Sequence, residues 1–394
     1  MLNKRLWIGN TLNSLKRNPV VLDVETTTSN KGNPFDETNK LITIQSKSKK
    51  NVNVYHPNTF VNLVEHTSKA SCIIGTNLKF DLNWLKKELN WTPQCPVWDL
   101  QIAEFLFSYQ NWKYPDLETM GVNYKLGSKI HGIKEKYWDL GIDTDQIPLV
   151  ELEEYGKRDV ELTYSVFLEQ VKKFSTTEQN LFPLFRLQCN DLLVLQEMEY
   201  NGLVYDEEES LQTATKLELE IKAIEEKLNK ILNNPGINYN SNNDISIILY
   251  GGTKEIITKE PIGFYKTGLK IGQIRYQNVK TNKVFPRLIT PLKGSELLKE
   301  GFYKTDEPTL RALVTNTYTK NIITLLLERS KLEKINGTYL KGLPKLRKKM
   351  NWPPNKLYST LNQCYVITGR LSSSKPNQQN LAPLAKQFCI SRYY

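Results

Sequence analysis

Histidine, cysteine and long apolar runs are all scarce in this chain, and each scarcity excludes something. Only three histidines (His56, His66, His131) and five scattered cysteines (Cys72, Cys95, Cys189, Cys364, Cys389) occur in 394 residues. The cysteines are odd in number and form no Cys-x-x-Cys, which argues against a zinc site or a disulfide framework and for reduced, mostly buried thiols. No run of about 18 uncharged apolar residues exists, so no membrane span is expected. Met1 to Asn10 carries Lys4 and Arg5 with no long apolar region behind them. It does not read as a secretion signal, and a cytoplasmic protein is expected. The last third also lacks negative charge. No Asp or Glu follows Glu333, and residues 251–394 hold 26 Lys and Arg against 8 Asp and Glu. Residues 1–170 hold 20 against 21 and residues 171–250 hold 7 against 13, so the net charge of +11 comes from the C-terminal third. Such a cationic stretch with interleaved tyrosines predicts a polyanion partner.

What is present begins with ordinary globular material. The chain is 39% hydrophobic, enough for two or three domains of about 100 to 200 residues each. Its most informative stretch is Val20-Val21-Leu22-Asp23-Val24-Glu25-Thr26-Thr27, an apolar run that ends in two carboxylates. On a strand Asp23 and Glu25 project to one side, roughly 6.6 Å apart, and acidic oxygens aimed into one space can grip a divalent metal. Asp-x-Glu alone is weak, because it recurs at Asp116/Glu118, Asp159/Glu161 and Asp206/Glu208. Carboxylates at such spacings usually belong to solvated surfaces. Only the first pair follows a solid apolar run.

Further strands are expected at 41–44, 52–55 and 71–75, short β-branched runs bounded by Asn, Lys and Pro. The last leads into a helix from Leu78, with Leu82, Leu85 and Leu89 at helical spacing. Asp81 thus lies where strand passes into helix. It either serves the first helical turn, which favours acidic residues, or looks back toward Asp23. Asp99 reads as a structural N-cap. In the segment 151–162, Tyr155 and Asp159 are four apart and share a helix face. Such a tyrosine is ordinarily a core or rim residue, yet a phenol beside a buried carboxylate can position a water molecule.

Taken together, these residues resemble the DEDDy subgroup of 3′-5′ exonucleases. Motif one corresponds to Asp23-x-Glu25, motif two to Asn77-x-x-x-Asp81 and motif three to Tyr155-x-x-x-Asp159. The sister subgroup has histidine five residues before the last aspartate, where this chain has Glu154. The resemblance implies an α/β RNase H-like domain, a mixed sheet flanked by helices, over residues 1–175. It also implies two divalent ions, Mg²⁺ or Mn²⁺. Asp23, Glu25 and Asp159 would ligate one ion, while Asp23 would bridge to the second, held through water by Asp81. Tyr155 would orient the attacking water with Glu25, and Thr26 and Asn77 would lie near the terminal nucleotide.

The rest of the chain reads as a mostly helical region over 176–350 with small β-hairpins near 237–300. Helices are expected at 181–200, stopped by Gly202, at 206–232, ended by Asn233 to Gly236, and again across 308–313 and 321–343. The segment 368–381, Thr-Gly-Arg-Leu-Ser-Ser-Ser-Lys-Pro-Asn-Gln-Gln-Asn-Leu, has ordinary turn chemistry. It also resembles a segment of family A, DNA polymerase I-like enzymes, and Leu249-Tyr250-Gly251-Gly252 with Glu328 to Leu332 resembles the thumb of phage members. By that resemblance 176–350 is a thumb, 351–394 begins a palm, and Arg370, Gln379 and Asn380 match positions that contact primer or template. The family's polymerase aspartates have no counterpart here. The expectation is therefore a proofreading 3′-5′ exonuclease from a split or truncated phage-type polymerase, in phage-infected or bacterial cytoplasm. It would act on single-stranded DNA 3′ ends and primer-template duplex, with palm and fingers on a second polypeptide. Two alternatives stand beside it: a non-catalytic DNA-binding subunit, and an RNase D-like RNA 3′ exonuclease. The apolar tail Phe388 to Tyr394 is expected to present an unpaired strand edge.

Overall fold

The computed structural model describes residues 12–177, 180–233 and 236–390. The chain divides into two compact units, one formed by residues up to Glu207 together with those from Leu343 onward, the other by Glu208–Gly342.

The first unit is built on a five-stranded mixed sheet ordered β3-β2-β1-β4-β5. Its strands are β1 (Pro19–Thr26), β2 (Leu41–Lys47), β3 (Val52–Tyr55), β4 (Cys72–Gly75) and β5 (Val97–Asp99). β1 pairs antiparallel with β2 and parallel with β4. A central strand flanked on both edges and covered by helices has no polar side, which is why Val20, Val21 and Leu22 are all apolar and at most 1% exposed. The pairing sets Asp23 opposite Gln45 and Glu25 opposite Thr43, with an irregularity between Glu25 and Thr26 where β1 ends.

Around the sheet pack α1 (Leu78–Leu89), α2 (Leu100–Phe107), α3 (Leu149–Thr176) and α4 (Phe182–Asn201). Trp98 on β5 anchors the core, with the rings of Phe167 and Phe185 at 5.0 and 4.5 Å. Its buried Nε1–H donates to Gln170 Oε1 at 2.8 Å, satisfying the polar handle that a buried indole carries. Asp99 caps α2, accepting from the backbone N–H of Gln101 and Ile102. It also accepts from Leu78 N at 2.7 Å, and so ties the start of α1 to the end of β5.

The late part of the chain joins this same unit. A three-stranded antiparallel sheet is ordered β12 (Cys389–Ile390), β6 (Leu203–Tyr205), β9 (Lys356–Leu357), and β10 (Thr360–Asn362) pairs with β11 (Ser372–Ser374). Glu199 on α4 receives Leu361 N at 2.6 Å and Lys79 Nζ at 2.5 Å, clamping α1 to β10. Cys389 and Ile390 pair with β6 on one side and form the outer edge of that sheet, as expected for this part of the tail, and residues 391–394 lie outside the described ones.

The second unit contains α5 (Glu207–Ile231, from its second residue), α6 (Asn242–Tyr250), the hairpin β7 (Gly252–Phe264) and β8 (Ile274–Phe285), and α7 (Thr317–Lys334). Its core gathers Leu228, Ile248, Leu249, Ile322 and Leu326. Arg329 is buried and satisfied by Glu225 at 2.8 Å and the carbonyl of Tyr239 at 3.0 Å. The several short hairpins expected near 237–300 are instead one long ribbon preceded by a helix. Both faces of the ribbon meet solvent, so no strict apolar alternation marks it in the sequence. The helix expected to end at Asn233 to Gly236 runs to Ile231, with residues 234 and 235 outside the described ones. All five cysteines are free. No helix among the described residues is long and apolar enough to cross a membrane.

Candidate active site

The sheet brings carboxylates from distant parts of the chain to the end of β1. Oxygens of Asp23, Glu25 and Asp159 all lie within 4.8 Å of one another. Asp23 and Glu25 arrive on alternate positions of β1, and Asp159 arrives from α3, which runs along β1 and β2. Gly156 permits that approach: a Cβ there would stand 2.5 Å from the buried side chain of Gln45 on β2. Tyr155 and Asp159 are therefore delivered by a helix laid unusually close to the sheet.

Asp81 sits in the first turn of α1, 3% exposed, and the charge of Asp23 acts on it. Asn77, exposed and in the left-handed region at φ 58°, opens that helix. Thr26 closes β1, its hydroxyl donating to the carbonyl of Thr27 at 3.1 Å. Tyr155 is half-buried, one helical turn before Asp159 on α3, and its ring meets Trp138 edge-on at 6.0 Å. Arg370, Gln379 and Asn380 are exposed and lie on other segments, before β11 and in a short turn at Gln378–Asn380. They take no part in this acidic cluster.

Four carboxylates, three buried and Asp23 half-buried, cannot all carry charge cheaply. Burial, then the charge of Asp159, pushes the Asp23 carboxyl up to about 7. Burial, then Asp23 and Asp159, holds Glu25 well above the usual carboxylate range. Burial followed by Asp23 does the same to Asp81. Asp159 is raised by burial in spite of the cation beside it, and Tyr155 is raised chiefly by burial.

That cation is Lys129, which the sequence reading did not single out. Its Nζ lies 2.5 Å from Asp159 Oδ2 and 5.1 Å from the centre of the Tyr155 ring. Burial alone would lower its pKa, but Asp159 and Tyr155 more than reverse this. The loop that carries it is pinned: Lys129 N donates to Glu118 at 2.7 Å, and Arg158 Nε donates to the carbonyl of Ser128 at 2.9 Å. A lysine 30 residues before Asp159 in a glycine-containing loop has no pattern that would have marked it.

One lysine does not balance the cluster. Asp159 Oδ1 is buried and has no hydrogen-bond partner among the described residues. An all-carboxylate donor set with an unsatisfied buried oxygen suits a hard divalent cation such as Mg²⁺ or Mn²⁺.

Comparison with known proteins gives two family matches. Residues 9–174 match the family model described as 3′-5′ exonuclease, and residues 270–389 match that of DNA polymerase family A. The chain is thus similar to polymerase I-type DNA polymerases of family A that carry a 3′-5′ exonuclease domain. DNA polymerase I of Borreliella burgdorferi is 26% identical over 326 residues, covering 82% of this chain and 29% of that protein. DNA polymerase I of Bacillus subtilis is 27% identical over 189 residues, covering 48% of this chain and 16% of that one. The polymerase domain of Pol1 from M. smegmatis, solved in complex with DNA primer-template and dNTP, superposes with a TM-score of 0.64 at 15% identity. The match covers 96% of this chain and 55% of that structure, and it speaks to the fold. These named relatives are bacterial, and the chain spans less than a third of the length of each of the two polymerase I proteins.

Proposed function

We propose that this chain is a metal-dependent 3′-5′ exonuclease of the DEDDy type, acting on DNA ends in an editing role. The observation that carries the reading is the meeting of Asp23, Glu25 and Asp159 within 4.8 Å, with Tyr155 one helical turn before Asp159 on α3. Asp23, Glu25 and Asp159 would hold one divalent ion and Asp81 with Asp23 a second, the pair supplying positive charge to the attacking and leaving oxygens of a phosphodiester.

The chain's own residues do the rest. Glu25, its proton affinity raised by burial, is placed to accept a proton from a water molecule, and the Tyr155 hydroxyl orients that water. Lys129 offers a fixed positive charge beside the site, able to attract a phosphate. Thr26 and Asn77, on the segments that carry the carboxylates, are positioned to meet the terminal nucleotide. Arg370, Gln379 and Asn380 are exposed and available to primer or template. Residues 334–394 have no Asp or Glu, so this stretch by itself supplies no carboxylate for nucleotide addition.

The test is release of nucleoside monophosphates from a 3′-labelled single-stranded oligonucleotide in Mg²⁺ or Mn²⁺. Asp23→Ala should abolish it. Equal digestion by that variant and the parent would overturn the assignment, and preferential digestion of RNA would replace DNA as the substrate.

A further inference from the structure

The β7–β8 ribbon is the least explained element of the molecule. Its strands pair from Gly252 with Phe285 to Phe264 with Ile274, a length of about 40 Å at the usual rise per residue. A two-stranded ribbon alone is marginal in water, and among the described residues nothing covers either face of its outer half: every residue from Thr258 to Asn278 is exposed. The same stretch carries Lys259, Lys266, Lys270, Arg275 and a single acid, Glu260. Among the described residues none of those four cations has a carboxylate partner, whereas Lys254 and Lys280, nearer the base, are paired with Asp244 and Glu255. Cations are thus paired with carboxylates at the root of the arm and lack them toward its tip, where Lys270 Nζ stands 6.0 Å from the centre of the Tyr265 ring. Phe264 and Tyr276 stand among them, 65% and 53% exposed.

We infer that this ribbon is a DNA-binding arm whose outer cations grip the phosphate backbone of duplex DNA. The inference rests on DNA being the substrate class. Charge decides the occupant: an arm meant for an apolar protein surface gains nothing from four cations without carboxylate partners, while a polyanion uses each of them. Shape agrees, since the major groove, about 12 Å wide, admits a two-stranded ribbon, and the arm's reach is about one helical turn of duplex. Phe264 and Tyr276 provide apolar and aromatic surface for sugars or unstacked bases.

The experiment uses the whole chain with Lys259, Lys266, Lys270 and Arg275 each changed to Gln, and fluorescence anisotropy of a labelled duplex in chelator across a salt series. Binding should weaken at least about tenfold, and the slope of log affinity against log salt should fall by about 3 to 4, one for each lost phosphate contact. A control with four exposed lysines of the other unit changed, Lys16, Lys49, Lys50 and Lys69, should leave the slope nearly unchanged. An unaltered slope in the ribbon variant, or an equal fall in the control, would overturn the inference. So would Ile257→Ser/Phe264→Ser/Tyr276→Ser losing self-association or binding to another protein while the cation variant binds duplex like the parent. Because exposed side chains are changed, matching melting temperatures are expected and verify folding. Trimming of single-stranded DNA by the ribbon variant should persist; its loss in Asp23→Ala reports on the active site alone, so the two readings fail separately.

Discussion

The acidic cluster at the end of β1 and the cationic ribbon β7–β8 hold charge in opposite ways. In the cluster, like charges crowd within 4.8 Å, two of them buried and Asp23 half-buried, with one lysine against them and one carboxylate oxygen unpartnered among the described residues. In the ribbon, like charges are spread over about 40 Å of backbone and face solvent. Crowding and burial raise the proton affinity of the first set, so that protons or metal ions must take up the deficit. Dispersal and exposure leave the second set ionised at little cost, ready for a partner that brings many negative charges. On the readings proposed above, the contrast separates chemistry from grip: the crowded, uncompensated set would serve as a reactive centre, and the exposed set as a binding surface.

Several substitutions would sharpen or break that contrast. The largest effect belongs to the cluster: Asp159→Asn should lower the rate of 3′ trimming by about 10² to 10³ or more, the scale of losing a main electrostatic contributor. The same change should leave the metal-free protein as stable or more so, because it removes a crowded buried charge. Parallel loss of activity and stability would mean that Asp159 is chiefly structural.

Gly156→Ala comes next. Its methyl would meet Gln45 at 2.5 Å, and overpacking of this kind costs about 1 to 3 kcal/mol. Denaturant titration should show that loss together with reduced trimming, since Tyr155 and Asp159 would lift from the sheet. A neutral result would show that the close approach of α3 does not matter.

The pH dependence of the metal-free protein follows from the raised carboxyls. Asp23 moves from 3.8 to about 7, and Glu25 and Asp81 move the same way. The folded state therefore binds more protons than the unfolded chain, and stability should fall as pH rises from about 4 to about 7. Stabilisation by added Mg²⁺ should grow through the same window, because ligands must be deprotonated to bind. Thermal melts at pH 5.5 and 7.5, with and without metal, check both.

The smallest effect is expected at Lys129. Lys129→Gln should slow trimming by about tenfold or less, within the range of one charged contact, and move the acid limb of the pH–rate profile upward, because the cluster would lose its one cation. An unchanged profile would leave Lys129 without a role in positioning Asp159.

These residues differ in how far the sequence announces them. Asp23 and Glu25 end an apolar run whose burial forces it to be apolar, and the four-residue spacing of Tyr155 and Asp159 survives folding because a helix preserves it. Both are local patterns. Lys129 is visible only through the loop path fixed by Glu118 and Arg158. The role of Gly156 depends on Gln45, on another layer of the fold. The clamp of Lys79, Glu199 and Leu361 joins residues more than 100 positions apart, so the grouping of the last segment with the first cannot be read from periodicity. The ribbon was legible as β-structure but not as one long hairpin, because solvent on both faces removes the alternation that marks a strand.

The most direct test of the central claim is calorimetric titration of Mn²⁺ into the whole chain and into its Asp23→Asn/Asp159→Asn double variant at pH 7.5. The parent should bind with release of protons from the raised carboxyls, and the folded variant should show no such binding. Equal affinity and equal proton release in both would contradict the assignment of this cluster as the metal centre.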